Sequence, residues 1–364
     1  MNAFRKSQSG VSYFLFILIA IIAVGSGILI QSSKPPPAEL PEFKKTILLP
    51  TPKALGEVNF TDHNGQQFGL SQLQGQWSIL FFGFTNCPDI CPTTMQTLKQ
   101  VKHDVAHAGA WHNFRVVMVS VDPERDTTER LKSYVPFFDP KFIGIRASVE
   151  HTTAFAKNLG ILFFKSKQQA SGAYDVDHGA AIILINPEGQ YAGVMTAPHI
   201  QTDISADLIK LAAYAGVTGT PSKAQIIPTN AQNVATKEPT DRATLTLQKA
   251  WIRPAPPNAP SMAAYFDFVN NSARDITIVD SSSTYFAHTM LHDTVFNNGI
   301  ASMEHLDRVT IPAGAKVTLA PAAKHMMLMG ANADLTEGDI VDLTFISEDG
   351  SQYPFNITVQ QQPQ

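Results

Sequence analysis

The sequence predicts a mixed α/β domain followed by an all-β sandwich, behind one N-terminal transmembrane helix. Three observations carry this reading. Val11 to Ile30 is an unbroken uncharged run, VSYFLFILIAIIAVGSGILI. From about Ala54 to Gly216, apolar strand-like runs alternate with helical stretches, which implies a partly parallel sheet covered by helices. From Ala243 onward short alternating strands follow one another without helices, the pattern of an antiparallel sandwich or barrel.

The apolar run assigns residues 11–31 to a membrane anchor, since at ~1.5 Å per residue it reaches about 30 Å, a hydrocarbon core. Arg5 and Lys6 in the tail, residues 1–10, favour N-inside orientation. A cleaved signal peptide is the alternative, but the run is long for one and no A-x-A-like site follows. The expected location is a bacterial inner membrane, crossed once, with the soluble domains in the oxidising periplasm. Residues 32–53, opening on Lys34-Pro35-Pro36-Pro37, read as a stiff extended spacer.

Within 54–216, Asn64-Gly65 marks a hairpin. Ser78–Phe84 (SILFFGF) is a strand buried on both faces, and a helix follows from about Pro92 to Ala108. Phe114–Val121 is the next buried strand. Helical stretches come near Thr127–Tyr134 and Glu150–Leu159. Ala180–Ile185 is a strand closed by the turn at Asn186-Pro187-Glu188-Gly189, and the last helix runs from about Ile204 to Tyr214. Residues 217–243 hold almost no large apolar side chain and read as a flexible linker. In the final domain, residues 244–360, strands are expected at Leu245–Trp251, Ala263–Val269, Ile276–Asp280, Thr289–Phe296, Lys316–Leu319, Ile340–Ile346 and Phe355–Val359. No internal repeat is present.

A net charge of −4 argues against nucleic acid as a partner. The only two cysteines, Cys87 and Cys91, lie within five residues, so this is no disulfide scaffold. They sit in FTNCPDICP, directly after the SILFFGF strand. Pro88 suits helix position N1 and Pro92 the first turn, which would place Cys91 one turn beyond Cys87 with both sulfurs facing one way. A helix start lowers thiol pKa values and favours thiolate. Two such thiolates can chelate a soft ion or close a disulfide. His178, in Asp175-Val176-Asp177-His178-Gly179 at the head of the AAIILI strand, is the candidate third ligand.

A second soft-metal set lies downstream. His292, Met303, His325 and Met327 form the series H-x10-M-x21-H-x-M. Imidazoles with thioethers and no cysteine suit Cu(I); Mg, Ca and structural zinc sites do not use Met. Thioethers also persist in an oxidising compartment. His325 and Met327, two apart on a strand, share a face. Met290, Met326, Met329, His288 and His305 are spare groups that fill core, rim or transfer positions. His103, His107 and His112 read as a solvated helix face, and His63, His151 and His199 as surface residues.

On FTNCPDICP, SVDPERDT, DVDHG and the INPEG turn, residues 54–216 resemble the Sco/SenC family. That resemblance implies a thioredoxin-like fold and copper held by Cys87, Cys91 and His178. Asp122, Glu124 and Arg125 match the family's VDPER stretch and read as a structural salt-bridge loop. On the His/Met series, APPNAP (255–260), AAYF (263–266) and TMLHDT (289–294), residues 244–360 resemble the PCuAC family. This implies a cupredoxin-like sandwich with Cu(I) at His292, Met303, His325 and Met327.

The expected function is a membrane-anchored copper metallochaperone, not an enzyme. The resemblance implies delivery to the CuA-bearing subunit of cytochrome c oxidase. Periplasmic copper carriers or thiol reductants are further expected partners. Two alternatives stand beside it. One is a thiol–disulfide reductase keeping the CuA cysteines reduced, although the C-x3-C spacing departs from C-x-x-C. The other is a periplasmic copper buffer or resistance protein. A peroxiredoxin is excluded, since its P-x3-T-x2-C context meets Leu80 and Phe84 here.

Overall fold

The computed structural model describes residues 41–165, 174, 176–214, 244–257 and 259–363. The anchor expected at 11–31 and the linker expected at 217–243 lie outside the described residues. Among the described residues no helix is long and apolar enough to cross a membrane.

The first half begins with β1 (Thr46–Ala54), β2 (Asn59–Asp62), β3 (Gln67–Gly69) and β4 (Trp77–Gly83). Then come α1 (Ile90–His107), β5 (Phe114–Ser120), α2 (Thr128–Phe138), β6 (Ile143–Arg146) and α3 (Val149–Asn158). It closes with β7 (Phe163–Lys165), β8 (Val176–Gly179), β9 (Ile182–Ile185), β10 (Gln190–Met195) and α4 (Gln201–Tyr214). One sheet runs in the order β1-β10-β9-β4-β5-β6-β2-β3. Strands β4, β5 and β6 are parallel, and β9 flanks β4 antiparallel. Every residue of β4 is buried, as a strand with helices on both faces requires. Asn64-Gly65 turns β2 into β3, with Gly65 at φ 80°, a conformation glycine adopts without penalty.

Residues 46–53, read from sequence as spacer, instead form most of β1 at the sheet edge, paired to β10. Pro50 and Pro52 fall where the register shifts between Leu48 and Lys53, and an irregular edge strand is where proline is tolerated. The backbone amides of Lys44, Lys45 and Thr46 donate to the Asp207 carboxylate on α4 at 2.8–2.9 Å.

The second half comprises β11 (Leu245–Ile252), β12 (Ser261–Asn270), β13 (Ile276–Ser282), β14 (Phe286–Asn297) and β15 (Ile300–His305). It continues with β16 (Val309–Ile311), β17 (Lys316–Leu319), β18 (His325–Ala331), β19 (Ile340–Ser347) and β20 (Gln352–Thr358). Strands β16-β13-β19-β20 form one layer. It packs on the other through Phe266, Phe268 and Phe345, whose rings meet edge to face at 4.8–5.4 Å. Each such ring contributes roughly 1.5–3 kcal/mol by burial.

The two halves are not independent. Phe43–Gln364 form one compact unit, and the larger sandwich layer runs β11-β12-β18-β14-β15-β8-β7. The last two strands come from the first half. The strand expected at 180–185 is β9, which stays in the first sheet; β8, just before it and not expected, leaves that sheet and pairs with β15. The Ala180 N–H donates to the Gly299 carbonyl at 2.9 Å, beside that pairing.

Candidate metal centre

Strand pairing places the His/Met series on one surface. His292 on β14 lies opposite His325 on β18, Met290 opposite Met327, and Thr294 opposite Met303 on β15. Directly opposed residues project to the same face, as do residues two apart on a strand. All four side chains therefore share one face of β15-β14-β18. The opposite face carries Leu291, Met326 and Leu328 into the sandwich core. Met326 is thus a core residue. Met290, Met329, His288 and His305 fall on the ligand face, with His288 and His305 exposed.

The two imidazoles each keep a buried ring nitrogen free of hydrogen bonds. The His325 Nδ1–H donates to the Ala323 carbonyl at 2.9 Å, leaving Nε2 buried and without a hydrogen-bond partner. The buried His292 Nδ1 is likewise unpartnered. The two rings lie 5.9 Å apart, nearly perpendicular. Burial, then the neighbouring His325 and His305, push the His292 pKa down to about 4. Two bare buried ring nitrogens beside two thioethers fit a soft, dehydrated cation.

The cysteine motif closes over the same face. The helix α1 begins at Ile90, with Asp89 as N-cap, so Pro88 is not its first residue and Cys87 lies in the preceding turn. The Cys91 N–H points at the Cys87 sulfur at 3.4 Å, and both thiols are free and buried. The Cys91 Sγ lies 3.5 Å from His178 Nε2. The His178 Nδ1–H donates to its neighbour's carbonyl, on Gly179, at 3.1 Å, which leaves Nε2 as the ligand nitrogen. Burial pushes the His178 pKa down. The Cys91 thiol does not follow the expectation of a helix start. Burial pushes Cys91 well up, and its contact with Cys87 adds to the rise, because desolvation outweighs the few unpaired N–H groups there. Cys91 meets both Cys87 and His178. Among the described residues no three His, Cys, Asp or Glu side chains form a ready metal cage.

His178 is opposite Ala301 in the β8–β15 pairing. It therefore shares the face that carries Met303, His292, His325 and Met327. Met303 packs against the apolar core of the first half, and Ala301 is part of that core. A small cavity of about 10 Å³ is lined by Cys87, His178 and Met303 among others.

Sequence reasoning passed over Asp89, which joins the halves. Its buried carboxylate accepts from the Tyr265 hydroxyl at 2.8 Å, the Thr294 hydroxyl at 2.9 Å and the Ala322 N–H at 3.0 Å. Arg253 Nη1 lies 3.9 Å and His325 Nδ1 3.5 Å from it. Arg253 also donates to the Asp89 carbonyl at 3.1 Å and to the Thr93 hydroxyl at 2.7 Å. The sequence signal was an acid between two cysteines, which reads locally only as a helix cap.

The VDPER stretch is a structural loop. Arg125 pairs with Asp122 and stacks 3.7 Å over Tyr174, whose hydroxyl donates to Asp122 at 2.8 Å. Glu124 pairs with Lys165 at 2.6 Å. Two histidines read as surface residues are inside. The buried His63 Nδ1 accepts from the Gly144 N–H at 3.0 Å, and half-buried His199 donates to the Ala180 carbonyl at 2.6 Å. His103 and His107 contact each other on the exposed face of α1.

Residues 50–213 match the SCO1/SenC family and residues 245–359 the LpqE-like family, which is PCuAC-related. A protein of Stutzerimonas stutzeri named for copper binding is 36% identical over 42% of this chain and 74% of its own length. The mouse mitochondrial SCO2 homolog is 34% identical over 37% of this chain and 53% of its own. The chain thus spans about half the length of that relative. Among solved structures, copper-bound Arabidopsis thaliana ScoI is 31% identical, covering 43% of this chain and 95% of its own, with a TM-score of 0.41.

Proposed function

Because the chain belongs to the SCO1/SenC family, we propose that it is a copper metallochaperone with two cargo sites that serves the CuA site of cytochrome c oxidase. One site is Cys87, Cys91 and His178; the other is His292, Met303, His325 and Met327. The observation that carries this is the shared sheet: His178 and the whole His/Met series lie on one face, under the cysteine motif.

The cargo is Cu(I). Imidazole nitrogens, thioethers and a thiol pair form a donor set of graded softness. Copper would pass between the sites by ligand exchange, without chemistry on any other substrate. In the docked arrangement every ligand but the half-buried Met303 is buried, so delivery to an outside acceptor requires the halves to part. The link at 217–243 would then hold them at high effective concentration. In this reading residues 11–31 anchor the chain in the inner membrane and the cargo sites work in the periplasm.

The test is an anaerobic Cu(I) titration of the reduced chain against a competing chelator, on the parent, His178→Ala and Met327→Leu. Two equivalents in the parent, with one site weakened in each variant, is the expected result. If His178→Ala changes nothing and copper binds only through the His/Met series, the two-site reading fails. Cys87 and Cys91 would then act as a thiol reductant of the acceptor.

A further inference from the structure

We propose that Cys87, His178 and Met303 together form a third copper position, built from both halves of the chain, that Cu(I) occupies in passing between the two cargo sites. This rests on the two-site reading above.

Three observations carry it. First, a small cavity of about 10 Å³, room for about one ion or water, is lined by donors from both halves: Cys87 and His178 from the first, Met303 from the second. The remaining groups named in its wall, such as Phe84, Ile90 and Ala301, are mostly apolar and leave the three as its soft-metal donors. Second, the sheet register makes His178 and Met303 diagonal neighbours on one face, through the Ala301–His178 pair. Diagonal neighbours stand about 7–8 Å apart, within reach of a long side chain. Third, Met303 differs from the other three members of its series. It packs on the first half's core, while His292 and His325 face each other. It is the member placed to stay bound while the rest of the coordination is exchanged.

The exchange balances without electron transfer. Copper leaves His292, His325 and Met327, keeps its bond to the Met303 sulfur, and gains bonds to Cys87 Sγ and His178 Nε2. The Cys87 thiol gives up its proton to solvent as the Cu–S bond forms. A final step replaces Met303 by Cys91, whose sulfur already lies 3.5 Å from His178 Nε2, and releases a second proton. The metal remains Cu(I) throughout.

The experiment uses the full chain labelled with selenomethionine, reduced and loaded with one equivalent of Cu(I). Copper-edge X-ray absorption then reads the bound atoms. In His292→Gln/His325→Gln/Met327→Leu, Met303 is the last of its series. A copper–selenium neighbour is expected there, and adding Met303→Leu should abolish it. Copper bound with no selenium neighbour overturns the mixed position while leaving the Cys87, Cys91 and His178 site intact. A chain that binds no copper overturns the two-site reading as well. Should the triple variant not fold, Met327→Leu is compared with Met327→Leu/Cys87→Ser. The selenium signal must fall on loss of Cys87; an unchanged signal sinks the proposal.

Discussion

The Tyr265 hydroxyl donates a 2.8 Å hydrogen bond to the Asp89 carboxylate, and both residues are buried. One stands between the two cysteines and the other on a strand of the sandwich, 176 residues further on. Burial, together with Asp89, pushes the Tyr265 hydroxyl well above its ordinary pKa, so it remains a donor. This contact, with Thr294, Ala322 and Arg253 around the same carboxylate, fixes the cysteine motif over the His/Met face.

Asp89→Ala should therefore undock the halves. It leaves Arg253 buried without its carboxylate, and removing one partner of a buried pair costs about 3–5 kcal/mol. Tyr265→Phe removes one charge-assisted hydrogen bond, worth roughly 1.5–3 kcal/mol. Hydrogen exchange at the Ala180 amide, which bonds across the junction to Gly299, reads the effect. Exchange should accelerate by about a hundredfold or more in Asp89→Ala, since each 1.4 kcal/mol is about tenfold, and by less in Tyr265→Phe. Unchanged protection would mean that Asp89 does not hold the junction.

Met326 and Met327 are adjacent and both buried, yet they face opposite ways across β18. Met326→Leu is a nearly volume-conserving core change that should cost under about 1.5 kcal/mol and leave copper affinity alone. Met327→Leu should leave stability nearly unchanged and weaken Cu(I) at the His/Met site by about tenfold or more, the loss of one soft ligand. Chelator competition and urea unfolding on the pair separate the two roles. Equal losses of affinity would refute the facing read from the register.

Gly83 is held small by the cysteine site. A Cβ there would stand 2.6 Å from Phe81 Cε1 and 3.1 Å from Cys91 Sγ. Gly83→Ala must displace the ring or the sulfur, and overpacking of this kind costs about 1–3 kcal/mol. The expected outcome is a lower melting temperature together with weaker copper binding at Cys87, Cys91 and His178, the His/Met site being unaffected. Full Cys-site affinity in a destabilised variant would show that the ring gives way and the sulfur does not.

The parts of this arrangement that sequence discloses are local ones. The nearly all-apolar β4 and the His325-x-Met327 alternation each announce their geometry within a few residues. The junction does not, because β8 and β15 are more than a hundred residues apart and strand pairing at that distance leaves no periodicity to read. Residues 176–179 look like the lead-in to the strand at 180–185, since nothing in them marks β8 as a strand that turns toward the other half. Asp89 was hidden for a related reason: its cap position explains it locally, while its carboxylate is satisfied by residues from the sandwich. The raised Cys91 thiol has the same origin, since its burial depends on tertiary packing that the motif does not encode. Edge strand β1 was obscured by its own prolines.

Asp126 gives a pH signature for the first half. Burial pushes its carboxyl up from 3.8 to about 6, against hydrogen bonds from Ser120 and Thr85 that pull it down. The Ser120 and Thr85 hydroxyls each donate to it at 2.6 Å. The folded state therefore holds a proton that the unfolded chain has already lost between about pH 4 and pH 6. Its contribution to stability is full below the unfolded value and is lost as pH rises through about 6. Two pKa units correspond to about 3 kcal/mol. Urea midpoints at pH 4.5 and pH 7 should accordingly contain a falling component that Asp126→Asn removes, since the amide does not titrate. Whatever its overall stability, the variant's slope across this window should be flatter than the parent's. A parent and variant with equal slopes would place the proton elsewhere.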